Sequence, residues 1–253
     1  MPHPVNFRLD GYEAAVEDAD SDVTGTAVDL TSLAEHHTDD DRHSYYVLYD
    51  ESATWGHPDM SHIVAVHIRR DHAVRRYRVE EERVPLAVMA QSWLIARGCP
   101  RTAIGLPLGT GLPASDDATR ALEDRLIGEA DRFDVLDEST DESCDSWEIT
   151  VLLHAVDEHD PVPFRILLEH GDYDSRTRTL REGAFATFEE ASAWLEEHRD
   201  GDSPVLPPPP DIAPAPDRSA GPGVPAPRSS SPGSRPIAPL PVPGPGAGAP
   251  RHR

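Results

Sequence analysis

Residues 201–253 hold 17 of the chain's 26 prolines, 7 of its 17 glycines and no aromatic residue. Proline fixes φ and has no backbone donor, so neither a helix nor a central strand can run through such a stretch. Too few apolar side chains remain there to offset the entropy of ordering. A disordered tail over 201–253 is the expectation, and any core must come from residues 1–200. That length suits one ordinary domain or two small ones and can bury a core without disulfides or metals. Within the tail, Pro207 to Pro210 favours polyproline II locally. The Pro-x-x-Pro spacings at Pro207/Pro210 and Pro236/Pro239 have the form that aromatic-lined grooves accept.

Charge separates the same two regions. The chain carries −23 overall; the tail has five arginines against three aspartates, so residues 1–200 carry −25. A surface of that sign repels nucleic-acid backbones and anionic membranes. It favours a basic protein as partner and leaves open the imitation of a nucleic acid. All 23 basic residues are arginine, which excludes a lysine Schiff base and a Walker-type phosphate lysine. Cys99 and Cys144 make neither a disulfide framework nor a zinc set, and read as reduced thiols. The opening MPHPVNFRLDGYEAA lacks the basic and apolar regions of a secretory signal. The longest apolar stretch, Val84 to Ala96, is broken by Gln91 and Ser92 and is too short to span a bilayer. A soluble, cytoplasmic protein without membrane contact is expected.

Three helices are signposted. Pro85 opens the first, and Gly98 and Pro100 close it. Leu86, Val88, Met89, Ala90, Trp93, Leu94 and Ile95 make it apolar on most faces, hence buried. Ser115 caps a second that runs to about Ala130, with Asp116 and Asp117 in its favoured first turn. Thr187 and Glu190 form a capping box for a third, ending near His198. Two short helices are expected near Tyr12–Ala19 and Leu30–His37. Strand candidates are Tyr45–Tyr49, His62–Arg69, Val74–Glu80, Trp147–Val156, Pro163–His170 and Arg176–Arg181, with hairpin turns at Arg70–Ala73 and Gly171–Ser175. The fold class is α+β: mostly antiparallel sheets with packed helices, then a disordered tail.

The order of elements repeats. Residues 45–98 set against 146–199 place strand on strand and helix on helix. Ala90, Trp93 and Leu94 fall on Ala191, Trp194 and Leu195, and Asp71 falls on Asp172. One reading is a duplication into two β-β-β-α halves, 1–110 and 111–200, with the tryptophans as core anchors of equivalent helices; the other is a chance self-match within one domain.

Several clusters invite chemistry. Asp18, Asp20, Asp22 and Asp29 resemble positions 1, 3, 5 and 12 of an EF-hand calcium loop, which implies alternate carboxylates as hard oxygen ligands. Val23 stands where that loop has its turn glycine, and Gly25 where it has an apolar residue, so a solvated acidic loop is the expectation. His57, His62, His67 and His72 recur every five residues, which fits neither strand nor helix. His36, His37, Asp39, Asp40, Asp41 and His43 form a denser polar cluster. His154 and His159 lack the spacing of a zinc protease. Arg69, Arg70, Arg75, Arg76 and Arg78 concentrate positive charge about a hairpin, with Arg69 and Arg75 expected to approach across it. Gly105, Gly109 and Gly111 precede a helix, but Pro107, Pro113 and the two aspartates disfavour an anion there. No catalytic, cofactor or metal residues are assigned. The reading is a non-enzymatic protein-interaction module. The competing one is an enzyme or small-ligand protein using a cleft between the halves, with His57, Asp59 and His62 near Trp55.

Overall fold

The computed structural model describes residues 5–15, 29–52, 61–107, 110–129, 131–201 and 204–210. The first sheet contains β1 (Glu13–Ala14), β2 (Leu30–His37), β3 (His43–Asp50), β4 (Ile63–Asp71) and β5 (Arg76–Val84) in the order β1-β5-β4-β3-β2. The second contains β6 (Phe133–Glu142), β7 (Ser146–Ala155), β8 (Phe164–Asp172) and β9 (Thr177–Phe185) in sequence order. Every pairing is antiparallel except β1 on β5. Helices α1 (Ala87–Ala96), α2 (Asp117–Leu126) and α3 (Phe188–Arg199) pack on them, so the class is α+β as the sequence indicates.

The central strands β3 and β4 of the first sheet are buried on both faces, because alternate side chains feed two clusters. Tyr45, Val47, Ile63, Ala65 and Val84 meet Ala90 and Leu94 of α1. Tyr46, Leu48, Val64, Val66 and Ile68 meet Phe7 of the N-terminal segment. The second sheet repeats the arrangement. Leu152, Ile166 and Phe185 meet Ala191, Trp194 and Leu195 of α3. Val151, Leu153, Leu167 and Leu180 meet Leu126 of α2 together with Leu86 and Val88 from the start of α1.

The repetition extends to backbone detail. β4, β5 and the start of α1 recur 101 residues on as β8, β9 and the start of α3. Asp71 Oδ1 accepts the amides of Ala73 and Val74, and Asp172 Oδ1 those of Asp174 and Ser175. Each hairpin then turns through an arginine in the left-handed region, Arg75 at φ 52° and Arg176 at φ 56°. A β-bulge lies between Ser32 and Ala34 in β2 and between Val135 and Asp137 in β6. Ala14 pairs in parallel with Tyr77, and Ala114 with Arg178. The ungapped match slips at one element: Tyr46 opposite Val66 corresponds to Val151 opposite Leu167, which moves β3 four residues relative to the ungapped offset. The longer β3–β4 connection accounts for that slip.

The structure corrects several expectations. Leu30–His37 is a strand and not a helix, and Glu13–Ala14 within the first expected helix is a parallel strand. β6 fills a stretch not read as strand, so each half has four antiparallel strands rather than three. The hairpin turns occupy residues 72–75 and 173–176. Pro85 lies one residue before the N-cap Leu86, and Asp116, not Ser115, caps α2 by accepting the Thr119 amide at 2.8 Å. α2 stops at Leu126. Thr187 caps α3 as expected by accepting the Glu190 amide at 3.2 Å, but the return bond of the box is shifted by one residue, Glu190 accepting the Ala186 amide at 3.2 Å. Residues 204–210, assigned to the tail, lie against β9 and α3, while the rest of the tail from 211 falls outside the described residues. Among the described residues no helix is long and apolar enough to cross a membrane.

Candidate functional site

One row of polar and aromatic groups crosses the first sheet. Register places His36 opposite Tyr45, Tyr45 opposite His67 and His67 opposite Glu80. The Tyr45 ring stacks on His67 with centroids 4.6 Å apart, and His43 Nδ1 lies 3.0 Å from His67 Nε2 in a hydrogen bond. Burial holds His67 down to about 4, against a weaker upward pull from the Glu80 carboxylate. Glu80 accepts from Arg97 Nε at 3.0 Å, and the Arg97 guanidinium lies 3.4 Å from the Trp93 ring centroid. A buried neutral histidine stacked on Tyr45 and bonded through one nitrogen to His43 is a packing solution; it presents no free nitrogen pair to a ligand.

A cleft of about 510 Å³ opens between the two sheets. Its lining combines apolar side chains, among them Val84, Met89, Trp93, Leu126, Phe133 and Leu167, with the charged Glu82, Arg83, Glu129, Asp134 and Glu138. Ser61 Oγ lies 2.5 and 2.6 Å from the two Glu138 oxygens. Beside the cleft runs a buried charge network that the sequence reading missed. Arg165 is 0% exposed and bridges Asp160 and Glu182, each 3.6 Å away. Arg125 joins Glu182 to Glu129, and Arg132 joins Glu129 to Asp160. The available signal was a lone arginine inside the apolar run Phe164–Leu168.

A third feature lies on the second sheet. Trp194, Leu168, His170, Glu148 and His198 line a groove whose other wall is Pro204, Val205, Leu206, Pro208 and Pro209. His198 stacks on Trp194 at 4.8 Å and bonds Glu148 at 2.7 Å, fixing the indole plane. Trp194 Nε1 donates to the Val205 carbonyl at 3.4 Å, and the Ala184 amide to the Pro207 carbonyl at 3.0 Å. Leu206 packs with Trp194 and Phe185, and a Cβ on Gly183 would come 2.5 Å from its Cδ2.

The fourth is the edge strand β6. Its sequence FDVLDESTDE is exposed over most of its length, and Val135 and Leu136 stand out at the bulge, 40% and 47% exposed. Asp134, Asp137, Glu138, Asp141 and Glu142 lie along it. Asp137 pairs with Arg199, and Glu142 accepts from Tyr173.

The remaining clusters disperse. Asp18, Asp20 and Asp22 lie outside the described residues; Asp29 immediately precedes β2 and its carbonyl accepts the Glu51 amide. Trp55, His57 and Asp59 also lie outside them, and His62 is stacked on Tyr49 at 5.5 Å. His37 bonds Ser44, His36 faces Tyr45, and Asp40 takes Thr38, so that cluster does not converge. Among the described residues no three histidine, cysteine or carboxylate groups are placed to hold a metal ion. Arg69 faces Arg78 and not Arg75. Arg70 is buried and donates to the Phe7 and Arg8 carbonyls and to Ser44, tying the N-terminal segment to the sheet. The α2 N-terminus is filled by the Asp116 carboxylate, itself paired with Arg181. No family model, curated protein or solved structure matches the chain.

Proposed function

We propose that this chain is a non-enzymatic protein-interaction module that receives a basic, extended segment of a partner along β6. The carrying observation is the state of that edge. Among the described residues β5 is bridged by β1, and β9 by Ala114 and Pro207, whereas β6 pairs with β7 alone; β2 is likewise paired on one side only, but it carries a single carboxylate, Glu35, against the five of β6. An open edge offers a row of backbone donors and acceptors, and natural sheets protect such edges with charge and bulges. Here the protecting charges are all carboxylates, and the bulge presents two apolar side chains. A strand carrying arginine or lysine with an apolar residue complements both features. Main-chain bonds would give affinity, and side chains specificity. The −25 charge of residues 1–200 speeds the encounter.

The full chain is titrated with a decapeptide of alternating arginine and valine. Amide exchange along β6 slows on binding, and affinity falls as salt rises. Neutralising Asp134, Asp137 and Asp141 to asparagine weakens binding about tenfold, roughly the sum of three exposed charge contacts. A decapeptide with aspartate in place of arginine does not bind. Unchanged exchange along β6 at saturating peptide sinks the reading.

A further inference from the structure

We propose that the Trp194 groove is a recognition site for a proline-rich peptide with an aliphatic-Leu-Pro core, and that residues 204–210 are its exchangeable resident occupant. The site has the parts that proline recognition uses. An indole N–H meets a backbone carbonyl, at Val205. A seat without a side chain, Gly183, takes Leu206. A backbone bond from the Ala184 amide to the Pro207 carbonyl covers one position on the edge of β9. Prolines suit this role because the segment is extended before it docks, so little ordering entropy is lost.

The resident segment is lightly held. Among the described residues its carbonyls accept one backbone bond at 3.0 Å, from the Ala184 amide, and one side-chain bond at 3.4 Å, from Trp194 Nε1; one leucine is seated, and Val205 is 90% exposed. Each contact of that kind is weak alone, so exchange for the same chemistry in trans needs no unfolding of the sheet. The counterpart position in the first half is closed differently: the Arg97 guanidinium covers Trp93, and Ile104 and Leu106 pack into the core. Recognition therefore belongs to the second half. It does not depend on β6, so either proposal can fail without the other.

The test uses the full chain and the peptide Pro-Val-Leu-Pro-Pro-Pro-Pro, blocked at both ends. Leu206→Asp removes the resident anchor. The expected result is faster exchange of the Ala184 amide in that variant, and peptide binding at least tenfold tighter than to the unaltered chain. Adding Gly183→Val fills the leucine seat and abolishes that binding. A peptide with aspartate at the leucine position does not bind. If Leu206→Asp loses native circular dichroism, Leu206→Gly replaces it with the same expectations. Equal affinity of the peptide for the variant and the unaltered chain overturns the proposal. Absence of peptide binding to a folded, strap-released variant overturns it as well.

Discussion

Two largely enclosed titratable groups carry opposite pH signatures. Glu169 shares Arg178 with Glu123, accepting from it at 2.8 Å, and burial pushes its carboxyl up to about 7 from 4.5. Its folded state holds the proton through an interval in which the unfolded chain has lost it. Stability is therefore full below about 4.5 and falls as pH rises toward 7. His67 is the reverse case, held down to about 4 from 6.5. Its neutral ring is stable above 6.5, and stability is lost as pH falls toward 4. Urea titrations at several pH values separate the two. Glu169→Gln should gain about 2 kcal/mol on the unaltered chain between pH 5 and pH 8. His67→Phe, which keeps the stack on Tyr45, should gain a similar amount between pH 7 and pH 4. Parallel pH profiles for either variant and the unaltered chain refute its assignment. Neither behaviour was legible in the sequence. His67 was one of four evenly spaced histidines and Glu169 one of 46 acids, and only the fold assigns their neighbours.

At the scale of elements, what escaped the sequence was the edges. Leu30, Leu33 and Ala34 are spaced as a helix would space them, yet they form a strand. The bulge between Ser32 and Ala34 sends Leu30 to the cluster under Phe7 and Ala34 to the cluster under α1. A bulge adds one residue and breaks the period of two. The bulge between Val135 and Asp137 hid β6 in the same way, with acids in place of the expected β-formers. Central strands and capped helices were legible because their signals are local: an unbroken apolar run, or a threonine three residues before a glutamate. The matched hairpins give a paired test. Arg75 and Arg176 both take positive φ, which costs a side-chain-bearing residue about 1–2 kcal/mol. Arg75 is compensated, since its Nε donates to the Gly11 carbonyl at 2.7 Å and its guanidinium lies over Tyr12. Arg176 has no comparable tether among the described residues. Arg176→Gly should stabilise the chain by about 0.5–1 kcal/mol in urea unfolding, less than the relieved strain because glycine frees the unfolded chain. Arg75→Gly should bring no gain. Equal effects at the two turns would show that the tether contributes nothing.

For the molecule as a whole, the apolar circumference of α1 has a consequence for cooperativity. Its composition predicts burial but not by what. One face meets Tyr45, Val47 and Ala65 of the first sheet, while Leu86 at its cap and Val88 in its first turn enter the cluster of Val151, Leu153 and Leu167 in the second. The helix that completes the first half is thus part of the core of the second, and the repeats are not two independently closed units. Leu86 is 1% exposed, so truncating it leaves a cavity among second-sheet residues and costs about 2–4 kcal/mol. If α1 couples the halves, that cost appears in both. Native-state hydrogen exchange measures it directly. The slowest amides of β4, such as Val66, and of β8, such as Ile166, should report the same opening free energy in the unaltered chain. Both should fall by the same amount in Leu86→Ala. Two independent halves would behave otherwise: the β8 amides would lose protection while those of β4 kept theirs. Equal losses at Val66 and Ile166 therefore mean that the chain folds as one cooperative body despite its internal repeat.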